Sequence, residues 1–513
     1  MPRLVYVLML WSACAAAQTV EGNVVNSVTG RGIAGVKVSL SRANYSFYSA
    51  TTDTQGHFLF DQVQDGPYTV SYSSPDYFYE PKGPRQFQVT AGASPVKLEA
   101  RMTPLARLSG RVVDGRGQSV PGAGVQISGP RRSMSARTDS NGRFELRDNL
   151  LPDAYTISVV PPPDLKPPDQ EPESDRVLNW TRTYYPGVAT PDAASKVTLL
   201  PGGEVSDLEL KLLAVPAHPV RGVLLKPDNE PAPKVAIFLS EDMALVSAES
   251  RSDGTFEFPA VVDGEWRLSA EVTSSSVKLR ATQWIEMAGH PLEGVKLQLS
   301  PPFTVPGKVL METAKGAPAP RLPSVALDPH VSRSRRDNGI LIGLASASPN
   351  ARPDADGNLK LENVYAGAYR IIAMNSPPGY FLDSVRVGDA EQSAPEIELS
   401  SGAVPITLVY KMNGGTVRGT AEKCASGGVM LVPQEPGLRR PGFQYSKPCD
   451  SNDRYEIGAV RPGDYYVLAL PGDGPDPWFR ARLDDTVLNQ AAKVTVRAGE
   501  TSSLELRAVT PPR

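Results

Sequence analysis

The chain has 513 residues, more than one hydrophobic core normally serves, so several domains are expected. Its 53 basic and 56 acidic side chains leave a net charge of −3 with both signs interspersed, which argues against a nucleic-acid-binding surface. The 49 Pro and 44 Gly would fit disorder, but here they punctuate clean alternating strands and so read as turns.

The N-terminus reads as an export signal. Arg3 supplies a positive charge, Leu4 to Trp11 is an apolar run, and Ala15 and Ala17 give the small-x-small pattern of a cleavage site before Gln18. The run is shorter than the about 20 residues a bilayer requires. Cys14 raises a second reading, a lipoprotein signal, but Trp11 stands where that signal wants a small aliphatic residue. No later stretch is apolar for long enough to span a membrane. The expectation is therefore an exported chain, periplasmic, outer-surface or extracellular, without a membrane span.

From Gln18 onward one unit recurs five times. Each copy opens on a strand with a central Gly: Gly22, Gly110, Gly222, Gly307 and Gly419, spaced by 88, 112, 85 and 112 residues. A turn and a second strand follow, as in Val36 to Leu40, Val125 to Ser128, Val235 to Leu239 and Val429 to Val432.

The next element is a hairpin written D-x-x-G-x-F. It reads Asp53 to Phe60, Asp139 to Leu146, Ser252 to Phe258, Asp354 to Leu361 and Asp450 to Ile457. Asp caps such a turn through its side chain, Gly takes the positive-φ position, and the alternation that follows is a half-buried strand. Copy three has Arg251 in place of the first Asp, and copy five has Asp453 in place of the Gly. Asp tolerates the left-handed region better than most residues, so the second change is mild.

A second hairpin brings an aromatic to one position in every copy: Tyr68, Tyr155, Trp266, Tyr369 and Tyr465. Such a stripe serves as a core anchor or as a sugar-stacking platform, and the core is the favoured reading. Each copy closes on an alternating strand such as Glu204 to Leu212.

About seven short strands per roughly 100 residues predicts an all-β chain of five tandem immunoglobulin-like or transthyretin-like β-sandwich modules in a row. The expected division is a signal peptide at 1–17 and modules at 18–103, 104–214, 215–301, 302–412 and 413–513. Short Pro-containing linkers such as Met102 to Leu105 and Ala214 to Ala217 predict a semi-stiff rod.

The V-x-G-x-V opening strand, the D-x-x-G-x-F hairpin and the G-x-Y-x-V hairpin resemble the carboxypeptidase regulatory-like domain, a transthyretin-like sandwich. The pattern also shades into collagen-adhesin B-type repeats and carbohydrate-binding-like sandwiches. The resemblance implies an accessory module that stabilises, spaces or binds, with no peptidase activity of its own, since that activity lies in a separate catalytic domain.

Four histidines are scattered through the chain: His57, His218, His290 and His330. His290 and Glu293 spell H-x-x-E, but a zinc site needs a third ligand, and His290 stands in the turn before a closing strand. Ser275 and Lys278 match S-x-x-K without the partner motifs a nucleophile needs. Asp354 and Asp356 resemble the start of a calcium loop, yet loop position 12 holds Tyr365; whether any loop binds calcium stays open. Lys37 has no Asn facing it from the closing strand Val96 to Ala100, so no isopeptide bond is expected. Asn44 and Asn179 fit the glycosylation sequon, which matters only in a eukaryotic secretory route. No enzyme, cofactor or metal is predicted.

The expected function is a structural or interaction protein of the envelope or exterior, an adhesin-like spacer whose partner is an envelope protein or a polysaccharide. The alternative is a carbohydrate-binding protein using loop aromatics: Tyr77, Phe78 and Tyr79; Trp180, Tyr184 and Tyr185; Trp478 and Phe479. Cys424 and Cys449 remain as an even pair after signal cleavage. Cys424 precedes the second strand of module five and Cys449 ends the third. Antiparallel pairing of those strands would bring the two within bridging range.

Overall fold

The computed structural model describes residues 18–42, 45–80, 86–90, 92–129, 132–168, 177–241, 244–274, 277–313, 320–329, 349–392, 396–424, 427–440, 442–470 and 485–509. Among these, regular structure is strand, apart from the one-turn helix Asp485–Leu488 and two short 3-10 turns. The described residues up to Val159, with Thr183–Lys211, form one compact unit. Val160–Arg182 and the residues from Leu212 onward form a second.

The described strands form five β-sandwich modules in chain order, each with two facing sheets. In module one the opening strand Gln18–Asn26 lies between His57–Val63, antiparallel, and the closing strand Val96–Pro104, parallel. The second sheet orders Tyr45–Thr51, Lys37–Arg42, Gly66–Ser73 and Gln86–Val89. The other modules repeat the plan, with a parallel pairing of first and last strands in every one.

That parallel pairing explains the opening Gly. A Cβ on Gly22 would strike the Leu98 carbonyl of the closing strand and the Phe58 ring lying over it. Gly110 and Gly222 meet the same two obstacles, from Leu208 and Phe144, and from Val295 and Phe256. The alternation of the strands places their apolar positions between the sheets. Val20, Val24, Val38, Leu40, Phe58 and Val70 form the core of module one, and Val220, Ile237, Leu239, Phe256 and Leu268 that of module three.

Two links between successive modules occur within the second unit. The stretch read as the linker Ala214 to Ala217 is instead the start of a 12-residue strand, Ala214–Leu225. It is held there by Leu178–Trp180, which pairs antiparallel with residues 214 to 216. Val215 packs on the core of module three, and the Asn179 side-chain amide donates to the Ala260 carbonyl at 2.7 Å. Module three thus takes a strand from the insertion that follows the second hairpin of module two. Further on, Leu438 and Phe443 of module five belong to the buried cluster of module four, with Val385, Leu408 and Tyr410. The Arg461 guanidinium donates to the Asp383 carbonyl across the same joint at 2.8 Å.

Candidate functional site

The residues that recur in all modules converge on the turns and the core. The Asp53 carboxylate accepts from the N–H groups of Gln55 and His57, both at 2.8 Å. Asp139, Asp354 and Asp450 accept from the residues two and four places on in the same way. These backbone donors hold the Asp53, Asp354 and Asp450 carboxyls below the usual carboxylate range. Module three, with Arg251 at the first position, caps its turn from Asp253, which accepts from the Thr255 hydroxyl and N–H. Gly56, Gly142, Gly254 and Gly357 have φ between +71° and +83°, and Asp453 takes the same region at +60°. Asp354 and Asp356 are thus a hairpin turn.

The recurrent aromatic is buried in every module, with exposures of 3%, 1%, 5%, 7% and 2% from Tyr68 to Tyr465. In four modules its polar tip donates to the backbone carbonyl four residues earlier. Tyr155 bonds Leu151, Trp266 bonds Val262, Tyr369 bonds Tyr365, and Tyr465 bonds Arg461, at 2.9 to 3.0 Å. Tyr48 in module one and Tyr445 in module five accept, at that corner, the N–H of Gln64 and of Arg461. Burial pushes the Tyr445 phenol up to about 12 and that of Tyr369 above its ordinary value. These rings anchor the sandwich and are closed to a ligand.

One recurrent feature escaped the sequence reading. The residue before the turn, Thr52, Thr138 or Ser250, is buried. It donates at 2.6 Å to the carbonyl of Ile33, Val120 or Ala232, each four residues before the second strand. It also accepts a backbone N–H, from Val36, Ala123 or Val235. The signal was available as a repeated hydroxyl one place before the turn, but its partner lies 18 or 19 residues away and leaves no local pattern. Module five carries Cys449 there. It is bonded to Cys424, four residues before the strand Gly428–Pro433, with Cα atoms 5.7 Å apart. The register is the antiparallel one, with Gly428 opposite Pro448.

The remaining chemistry-bearing residues are not brought together. The His290 ring lies against its neighbour's carbonyl, and Glu293 is ion-paired with Arg221 at 2.7 Å. Lys278 pairs with Glu271, and His57 and His218 sit half-buried in separate modules. Among the described residues no three His, Cys, Asp or Glu side chains are grouped as a metal would require. His330, Ser275, Asn44, Trp478, Phe479 and the segment 1–17 with Cys14 lie outside the described residues.

The described loop aromatics are half-buried. Tyr77 and Tyr79 pack on the core of module one, and the Tyr79 ring lies 4.6 Å from that of Tyr72. The Trp180 indole donates to the Lys166 carbonyl at 2.9 Å. Tyr184 and Tyr185 lie at the strand Thr183–Tyr184, ahead of a cis Tyr185–Pro186 bond.

The sequence profile of the carboxypeptidase regulatory-like domain matches residues 19–103 and 107–162. The match thus covers module one and the first half of module two. The same plan of strands, capped turn and buried aromatic continues through modules three to five on the geometry above. No curated protein matches the chain. Among solved structures, the TIE protein of Bacillus anthracis is 10% identical over 87% of this chain and 70% of its own, with a TM-score of 0.17. The major pilin subunit BcpA of Bacillus cereus is 12% identical over 77% of this chain and 99% of its own, with a TM-score of 0.17. A minor pilin of Streptococcus agalactiae is 16% identical over 38% of this chain and 96% of its own, with a TM-score of 0.19. TM-scores this low carry no functional weight.

Proposed function

We propose that this chain is a non-enzymatic, exported multi-module protein of the cell envelope or exterior, which spaces or presents rather than transforms. One observation carries the reading: the residues kept from module to module are used by the fold itself. The Asp and Gly build turns, the aromatic fills the core, and the hydroxyl or disulfide ties two loops together. What repeats is an architecture, and a chain that multiplies an architecture extends reach or surface. Export is supported by the Cys424–Cys449 bond, which persists in oxidising compartments. The match of residues 19–103 and 107–162 to a carboxypeptidase regulatory-like domain fits an accessory role.

Immunolabelling of intact and lysed cells tests this reading. The account expects the chain on the outside of intact cells or in the periplasmic fraction, and a cytoplasmic pool as the dominant one contradicts it.

A further inference from the structure

Every module leaves one edge strand at the same end of its second sheet: Tyr45–Thr51, Ser133–Arg137, Ala244–Glu249, Asn350–Ala351 and Tyr445–Pro448. An unpaired edge is a template for another strand, and folded proteins blunt it by bulges, brevity, charge or proline. Three of the five edges carry a clear device, and that of module two is the shorter and more polar of the other two. In module one the pairing slips between Leu40 and Ser41. The edge of module two is five residues long and ends on Arg137. That of module four has two residues, and that of module five has four, including Lys447 and Pro448.

The edge of module three is the longest and most apolar of those without a slip. Its six residues pair with Ala236–Glu241 in one unbroken register, and only the last, Glu249, is charged. Leu245 and Val246 are 49% and 41% exposed. Beside Leu245 on the outer face stands Phe238, the one exposed aromatic among the described residues. No strand among the described residues pairs with its outer side. The opposite edge of the same sheet, Val277–Met287, is protected by Lys278, Arg280 and Glu286, and Arg280 is bridged to Ser300.

We propose that Ala244–Glu249 pairs antiparallel with the same strand of a second copy of this chain about a two-fold axis. The strand is its own complement. Centred on Val246, the pairing sets Val246 against its counterpart, Leu245 against Ser247 and Ala244 against Ala248, so apolar and small residues meet and no like charges do. A two-fold closes the edge on both chains at once. One strand pair buries less than the roughly 1,200–2,000 Å² of a stable interface, so the association is weak in dilute solution and gains strength where chains are concentrated side by side.

The test uses the full chain carrying Cys14→Ser, which leaves no free thiol beside the Cys424–Cys449 pair. Val246→Cys in that background, held concentrated in a glutathione redox buffer, is expected to give a disulfide-linked dimer on a non-reducing gel. Ser135→Cys, at the centre of the shorter and more polar edge of module two, is expected to give about tenfold less. Val246→Lys, checked to melt like the parent, is expected to weaken self-association in sedimentation equilibrium by about tenfold through like charges placed directly opposite. Cross-linking of Val246→Cys no greater than that of Ser135→Cys overturns the proposal, as does a dimer that survives Val246→Lys unchanged.

Discussion

Cys449 is bonded to Cys424 at the place where Thr52 donates a hydrogen bond to Ile33 in module one. Thr138 to Val120 and Ser250 to Ala232 make the same link in modules two and three. The backbone frame is also shared: the N–H of Cys449 bonds the Gly427 carbonyl as that of Thr52 bonds Val36. The disulfide is therefore a covalent form of a brace that the earlier modules make with a hydroxyl. Module four has Pro353 at the position and makes neither link.

Two free-energy scales follow from this equivalence. Opening the 25-residue disulfide loop with Cys424→Ala and Cys449→Ala should cost module five about 3 kcal/mol in the loop-entropy model. Cys424→Val with Cys449→Thr, which rebuilds the hydroxyl brace, should recover about 1 kcal/mol of that. Thermal melts of the two double variants check the order.

The left-handed turn position separates modules two and five. Gly142→Val places a β-branched residue at φ +71° with its Cβ 2.7 Å from the Val112 carbonyl oxygen. The expected loss is about 1–3 kcal/mol. Asp453→Gly, the reverse change at φ +60°, should leave module five as stable or more so. Denaturant titration of each variant gives the sign.

Asp328 makes module four sensitive to pH. It is 2% exposed, neither carboxylate oxygen has a hydrogen-bond partner among the described residues, and burial pushes its carboxyl up to about 6, partly offset by Arg370. The folded value lies above the unfolded one, so the charged form carries a penalty that is complete above about pH 6. It is relieved as the pH falls from there toward 4. The Asp328 contribution should rise by about 2–3 kcal/mol over that window, and Asp328→Asn should remove it and raise stability at pH 7.5. Melts at pH 7.5 and 5 of both proteins make the comparison.

Phe443 is 1% exposed and belongs to module five in sequence but to the core of module four in packing. Phe443→Ala should cost about 3–5 kcal/mol and lower the transition of module four. Residues 302–513 should melt as one calorimetric unit, and residues 413–513 alone should be less stable than in that pair.

What the sequence disclosed was local. The capped turn at Asp53 is written within five residues, because Asp and Gly act on their own backbone neighbours. The period-2 alternation around Val20 and Phe58 shows which side chains face the core. The Cys424–Cys449 pairing was legible because two adjacent strands set its register. Contacts distant in sequence stayed hidden. The parallel pairing of Val20 with Val96 closes a loop of a whole module. The Thr52–Ile33 bond joins two separate loops, and Leu178–Trp180 lies in what reads as an insertion of one module yet pairs with the next. Each depends on where the sandwich has already brought the chain. The loop aromatics show the same limit. Tyr77 and Tyr79 read as loop aromatics open to a ligand, and the fold lays them on a core.

The central claim is that the residues repeated across the modules build the fold, and Tyr155→Ala measures it most directly. Tyr155 is 1% exposed and bonds the Leu151 carbonyl at 2.9 Å, so its truncation empties the core of module two and leaves that carbonyl without its tyrosine donor. Equilibrium unfolding should show module two weakened by about 3–5 kcal/mol. A variant that unfolds like the parent would mean that the repeated aromatic is held for a ligand rather than for the sandwich, and the account would fail.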